Sequence, residues 1–321
     1  MKTTSIGQIA AHLQSAFNAF ATGIKKWSLL VLIVLSTVTA KAQYSNTAIK
    51  NGAADARQAS DTLKKSGPGD SIRGPLNMAE VIITAKKYPL QTRVGEYNQP
   101  LWSTMRMFPT TRVYVMNPPG SVMYERWFDI RDPRRGPAQV KMRDEFTFGL
   151  GKRLQLDLYS HTVYDGMAGN KEFKWRGFSW EIRYALADWG KIWGNPTFYF
   201  EHKLLDGYMG IEPKILLGDR LGKNGIWGLN LIYEGNLAPT RIEQEREYAA
   251  TASYGQIINN DLTIGASTMY RNNDGASQEY YLGPLLQYRF NGHAYLTVEV
   301  MPGLTQESKA SRSTIIFAWR F

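Results

Sequence analysis

From Gly120 to the end of the chain, apolar and polar residues alternate with a period of two, in runs separated by Gly, Asn, Asp and Pro. Phe198, Phe200 and Leu204 fall on one face, with Tyr199, Glu201 and Lys203 on the other. Ile211, Ile215 and Leu217 oppose Glu212 and Lys214, and Trp180, Ile182, Tyr184 and Leu186 oppose Glu181 and Arg183. The same division separates Leu154, Leu156 and Leu158 from Asp157 and Tyr159, Leu231 and Tyr233 from Asn230 and Glu234, and Leu296, Val298 and Val300 from Thr297 and Glu299. A period of two is the mark of a strand with chemically different faces. The pattern predicts twelve strands, at 120–131, 140–150, 153–164, 174–187, 196–205, 209–218, 225–236, 245–256, 261–271, 278–290, 293–302 and 311–321.

Turn residues give the hairpins their sides. Gly151-Lys152, Asp219 to Gly225, Asn259 to Asp261 and Asn291-Gly292 fall at one end of the sheet. Asp132 to Pro137, Asp165 to Asn170, Asp206-Gly207, Asn272 to Gly275 and the stretch from Pro302 fall at the other. An even number of strands brings both ends of the sheet back to the first side.

Alternation alone fits two solutions. A soluble sandwich buries the apolar face and exposes the charges; a barrel in a membrane turns the apolar face to lipid and encloses the polar one. Three features select the second. The strands are about twice the usual soluble length of five or six residues. The last strand places Ile315, Phe317, Trp319 and Phe321 together on one face. Lys25 and Lys26 precede an apolar run from Trp27 to Val38, followed by Ala40-Lys41-Ala42, the arrangement of a signal peptide cleaved before Gln43. That run is too short for a membrane helix, so any spanning of a bilayer falls to strands, and strands in hydrocarbon must close into a ring. The expected fold is therefore all-β: a closed antiparallel transmembrane β-barrel of about 12 strands. Aromatic residues near strand ends, Tyr164, Trp175, Trp189, Trp193, Tyr208, Trp227, Tyr270 and Trp319, are candidates for interfacial girdles.

Ahead of the barrel, residues 1–42 read as a signal peptide with an extended leader, and residues 43–75 as a flexible periplasmic segment rich in Ala, Ser, Gly, Lys and Asp. Residues 76–119 have no regular period and stay open among plug, cap and extra strand. If Gly95 to Pro119 enters the lumen, Trp102, Met105, Met107 and Phe108 supply its packing surface and passive conductance is small.

On the enclosed face the candidate lumen residues are Glu145, Asp157, Tyr159, Glu181, Arg183, Glu201, Lys203, Glu212, Lys214, Glu234, Arg289, Glu299 and Arg320, with Glu247 beside them. Both signs occur, which suits either a cross-linked wall or a selective path. The formal charge is +10, of which Lys2, Lys25, Lys26 and Lys41 carry four; the remaining six are interleaved with acids, so no nucleic-acid surface is expected. The chain has no cysteine, which removes disulfides, thiolate metal centres and cysteine nucleophiles. Ser160-His161 near Asp157 raises the question of a hydrolase, but adjacent residues of a strand face opposite sides, so another strand would have to bring the serine. His202 and His293 are poorly placed for a metal cluster. No catalytic, cofactor or metal site is expected.

Residues Gly120 to Phe321 resemble bacterial outer-membrane β-barrel proteins in general, a resemblance of architecture more than of activity. It implies the cell outer membrane as location, outer-membrane lipids as surroundings and the barrel-assembly machinery as a partner during insertion. The functional expectation is a porin-like channel for small polar or charged solutes and no enzyme, with a nonconducting structural or binding barrel as the alternative and a membrane hydrolase behind it. Met78-Ala-Glu-Val-Ile-Ile-Thr-Ala85 resembles the box through which TonB-dependent receptors meet an energy-coupling partner. Too few residues follow it for that family's barrel of about 22 strands. This box, with the Lys41-Ala42-Gln43 processing region, looks like exported proteins of Bacteroidota.

Overall fold

The computed structural model describes residues 89–165, 172–237, 246–273 and 277–321. The leader, the segment 43–75, the box at 78–85 and the residues 166–170 of one expected turn lie outside the described residues.

Residues 89–121 come first and contain a two-residue bridge, β1 (Arg93–Val94) with β2 (Gln99–Pro100), and a single 3-10 turn at Leu101–Thr104. Then follow β3 (Val122–Asp132), β4 (Gln139–Gly151), β5 (Leu154–Asp165), β6 (Phe173–Ala185), β7 (Thr197–Leu205), β8 (Tyr208–Leu221), β9 (Gly225–Asn236), β10 (Arg246–Ile257), β11 (Leu262–Asn273), β12 (Gln278–Arg289), β13 (Ala294–Pro302) and β14 (Ser311–Arg320). Each pairs antiparallel with its sequence neighbours, and β14 pairs with β3 to close a twelve-stranded ring. The twelve expected strands are all present, and the predicted bounds of β9 coincide with the observed ones.

Strands run from nine to fourteen residues, enough to cross a bilayer when tilted. Closure leaves no strand edge exposed, which hydrocarbon requires because it offers the backbone no partner. At the seam, Ser311↔Asp132 through Arg320↔Met123 pair without interruption.

The outward face is apolar along the whole circumference. Phe146, Leu158, Phe178, Phe198, Phe200, Ile215, Leu231, Ile264, Leu282 and Phe317 are all exposed, on nine different strands. Their inward neighbours, including Glu145, Asp157, Glu181, Arg183 and Glu299, are wholly buried. A band of large hydrophobics outside and ionised groups inside is the reverse of a soluble protein and the arrangement of an outer-membrane barrel facing lipid.

Trp175, Trp193 and Trp319 are exposed near strand ends, as an interfacial girdle needs. Two of the expected girdle residues are elsewhere. Trp189, in the connection from β6 to β7, is buried against Trp102 and Tyr114, edge to face at centroid separations of 5.3 and 5.1 Å. Tyr208 faces inward and donates its hydroxyl hydrogen to Glu234. Both were drawn in by partners that period-two reading does not show: an aromatic pocket in the first case and an acid in the second.

Candidate functional site: a vestibule above a packed lumen

Residues 101–118 run inside the ring, in the half where β3 begins and β14 ends. Trp102, Met107, Phe108, Tyr114, Val115 and Met116 are buried there, in one apolar cluster with inward residues of the wall such as Ile226 and Leu285. Burial of each large side chain contributes about 1.5–3 kcal/mol. Space for them comes from small wall residues. A side chain on Gly228 of β9 would meet Thr111 at 2.9 Å and Val113 at 3.1 Å, and one on Gly255 of β10 would meet Phe108 at 3.2 Å. Gly218 of β8, directly across from Gly228 in register, would likewise run into Val113.

Polar contacts fix the segment at several heights. The backbone N–H of Arg112 donates to Asn230 Oδ1 (2.7 Å), and Asn230 Nδ2 donates back to the Arg112 carbonyl (2.6 Å). Thr297 donates to the Arg106 carbonyl (2.7 Å), and Gln155 Oε1 accepts the N–H groups of Met116 (2.6 Å) and Asn117 (3.3 Å). Arg320 reaches the carbonyl of Thr104.

The register sets carboxylates side by side. Glu125 pairs across from Glu145, Asp157 from Glu181, Glu181 from Glu201, and Glu201 from Glu212. Like charges directly opposite repel. Cations relieve most of this ladder. Arg106, from the inner segment, bridges Glu125 (2.8 Å) and Glu145 (2.7 Å) with all three side chains buried. Burial works against the Arg106 charge, yet the two carboxylates outweigh it and hold its pKa well above the ordinary range. Arg183 bridges Asp157 (3.0 Å) and Glu181, and Tyr159 donates to Glu181. Lys203 bridges Glu212 and Glu234, the latter at 2.8 Å, and Lys214 pairs with Glu212.

The sequence-derived lumen residues thus separate into groups. Glu145, Asp157, Tyr159, Glu181 and Arg183 form the buried network against the inner segment. Glu299 also touches it, accepting a hydrogen bond from Thr110 at 3.2 Å. Arg289, 3.8 Å from Asp261, and Arg320 lie near the end that holds the segment's entry. Glu201, Lys203, Glu212, Lys214 and Glu234, with Glu247, line a cavity of about 1880 Å³ in the other half. Its floor is the tip of the inner segment, Pro109, Thr110 and Arg112, and its rim carries the exposed Glu172, Lys174 and Arg246. Among the described residues around this vestibule, basic side chains outnumber acidic ones by eleven to six. Below the floor, the void among Trp102, Phe108, Val113 and Arg183 is about 10 Å³, room for about one water.

Sequence reading missed Arg106, Arg112, Trp127 and Arg143, the charged and aromatic groups at and below the floor. The inward position of Trp127 and Arg143 follows from alternation once the strands are set; nothing in the local pattern places Arg106 or Arg112 inside. The serine that His161 lacked comes from the next strand: Ser179 Oγ lies 2.8 Å from His161 Nε2. Ser160 faces out and accepts a hydrogen bond from Trp175. Among the described residues no carboxylate hydrogen-bonds His161, while Asp157 is held by Gln155 and Arg183.

No protein-family model and no curated protein matches the sequence. Solved structures similar in fold include the NanC porin, with 13% sequence identity and a TM-score of 0.46, over 62% of this chain and 98% of that one. The KdgM porin, in complex with disordered oligogalacturonate, has 12% identity and a TM-score of 0.46, over 62% of this chain and 99% of that one. An outer membrane channel from Pseudomonas putida F1 has 13% identity and a TM-score of 0.44, over 65% of this chain and 98% of that one.

Proposed function

We propose that this protein is an outer-membrane channel of porin type for small polar or charged solutes, with residues 89–119 as a plug that restricts passage. The observation that carries the reading is the charged vestibule of about 1880 Å³ enclosed by a lipid-facing barrel. A structural barrel needs no chamber lined, among the described residues, by seventeen ionisable Lys, Arg, Asp and Glu side chains. The half holding the plug is the periplasmic one, since both ends of the barrel lie there and the short-turn side of such barrels faces the periplasm. Glu201, Lys203, Glu212, Lys214 and Glu234 are the proposed walls of the route, and selectivity by charge and size, with no chemical step, is the proposed activity.

In a planar bilayer the purified, heat-modifiable barrel is expected to give small discrete conductance steps with an ion-selective reversal potential. Glu201→Gln combined with Lys203→Met is expected to shift that reversal potential without loss of heat-modifiability. Folded protein that never conducts, with or without its plug contacts intact, would defeat the channel reading.

One observation favours a second reading. The void among Trp102, Phe108, Val113 and Arg183 below the floor has room for about one water, which fits a nonconducting barrel that binds a ligand in its vestibule. The two part company in the same bilayer: a binding barrel stays silent even when the plug is loosened.

A further inference from the structure

We propose that the floor of the vestibule is a binding site for the oxyanion group of a polar solute, a carboxylate or phosphate held between Arg112 and Arg143. The inference deepens the channel reading and rests on it only for the direction from which the solute arrives.

The two guanidinium groups come from different parts of the chain, Arg112 from the plug tip and Arg143 from β4, and both stack on Trp127. Their central carbons lie 4.7 and 4.4 Å from its ring centroid. The indole is buried, so both cations are held in place by a rigid surface, an arrangement that favours arginine over lysine. Arg112 is itself only 6% exposed; one terminal nitrogen donates to the Pro109 carbonyl (2.9 Å) and its Nε has no protein partner. Both residues line the vestibule.

Their electrostatic position separates them from four other arginines of the lumen. Arg106, Arg131, Arg183 and Arg271 each pair with at least one carboxylate. Arg112 and Arg143 make no ion pair among the described residues. Of the acids nearby, Asp129 is engaged by Arg131 at 3.0 Å and Arg312 at 3.8 Å, and one oxygen each of Asp129, Glu145 and Glu201 has no hydrogen-bond partner among the described residues. Glu201 accepts the Tyr199 hydroxyl hydrogen at 2.8 Å. Three guanidinium groups gather on one buried ring; Arg106, at 5.2 Å, is already held by two carboxylates, and the two without an ion pair face a chamber with an excess of basic groups, a setting that favours an added anion. The forked donors of arginine match the paired oxygens of a carboxylate or phosphate better than they match a spherical halide.

The test is titration calorimetry on the full chain in detergent micelles, with inorganic phosphate and acetate as probes and glucose as the neutral control. Saturable heat with phosphate, with acetate or with both is expected, and none with glucose; which anion binds fixes the oxyanion class. Arg112→Gln and Arg143→Gln are each expected to weaken binding at least tenfold. Lys152→Gln, which removes the same charge from an exposed turn at the opposite end, should leave it unchanged. Since Arg112 also anchors the plug tip, Arg143→Gln, on a strand, is the cleaner of the two. Absence of saturable binding by either anion, or affinity retained in Arg143→Gln, overturns the site. Arginine-dependent phosphate binding by a barrel that never conducts defeats the channel reading alone, and conduction without such binding defeats this inference alone.

Discussion

At the scale of single residues, the lumen is organised by carboxylates that the register forces together. Glu125 opposite Glu145 would repel, and one guanidinium from outside the sheet, Arg106, sits between them. The arrangement makes Arg106 the electrostatic fastener of the plug. Removing one partner of a buried ion pair costs about 3–5 kcal/mol. Arg106→Met is therefore expected to loosen residues 101–118 by an amount in that range while the outer wall keeps its pairing. Single-channel steps should grow, and limited proteolysis should newly cut between 89 and 118; steps and cutting pattern identical to the parent protein would show that Arg106 fastens nothing. The charges themselves were legible in the sequence, because Glu145, Asp157, Glu181 and Glu201 all fall on the polar face of their runs. Their pairing was not. Which acid faces which depends on the stagger between strands, and a one-residue slip would exchange the faces altogether.

At the scale of elements, the strands were legible, while residues 76–119 stayed open among plug, cap and extra strand, for one physical reason. A strand that separates lipid from water must alternate, so β3 to β14 announce themselves with a period of two. Residues 101–118 pack against the wall on their flanks and meet the vestibule only at the tip, so they have no alternating environment to record; their apolar residues fill pockets one at a time. The signal that could have revealed them lies in the wall. Gly218, Gly228 and Gly255 occupy inward positions on three successive strands, where large or charged residues would otherwise fill the lumen, and each leaves room for a plug side chain. Overpacking of a filled interior costs about 1–3 kcal/mol. Gly228→Leu is accordingly expected to push Thr111 and Val113 aside, with larger conductance steps and unchanged heat-modifiability. A leucine accommodated with no change in conductance would mean that the tip of the segment does not limit passage.

At the scale of the whole molecule, the decisive property is the exchange of inside and outside. Phe198, Leu231, Leu282 and their neighbours are exposed on the outer surface while Glu145, Asp157 and Glu299 are buried, and only a nonpolar surrounding medium makes that stable. The protein is expected to migrate faster on a gel before boiling than after, and to precipitate when detergent is withdrawn; a soluble monomer with protease-resistant sheet would contradict the architecture. The ring closure has a further consequence, for the order of events as the molecule is made. The plug precedes β3, yet its contacts are spread over the whole circumference, from Gln155 of β5 and Asn230 of β9 to Thr297 of β13 and Arg320 of β14. No partial sheet can offer all of these. The portion synthesised before the barrel therefore completes its contacts only once the last strand has joined the first.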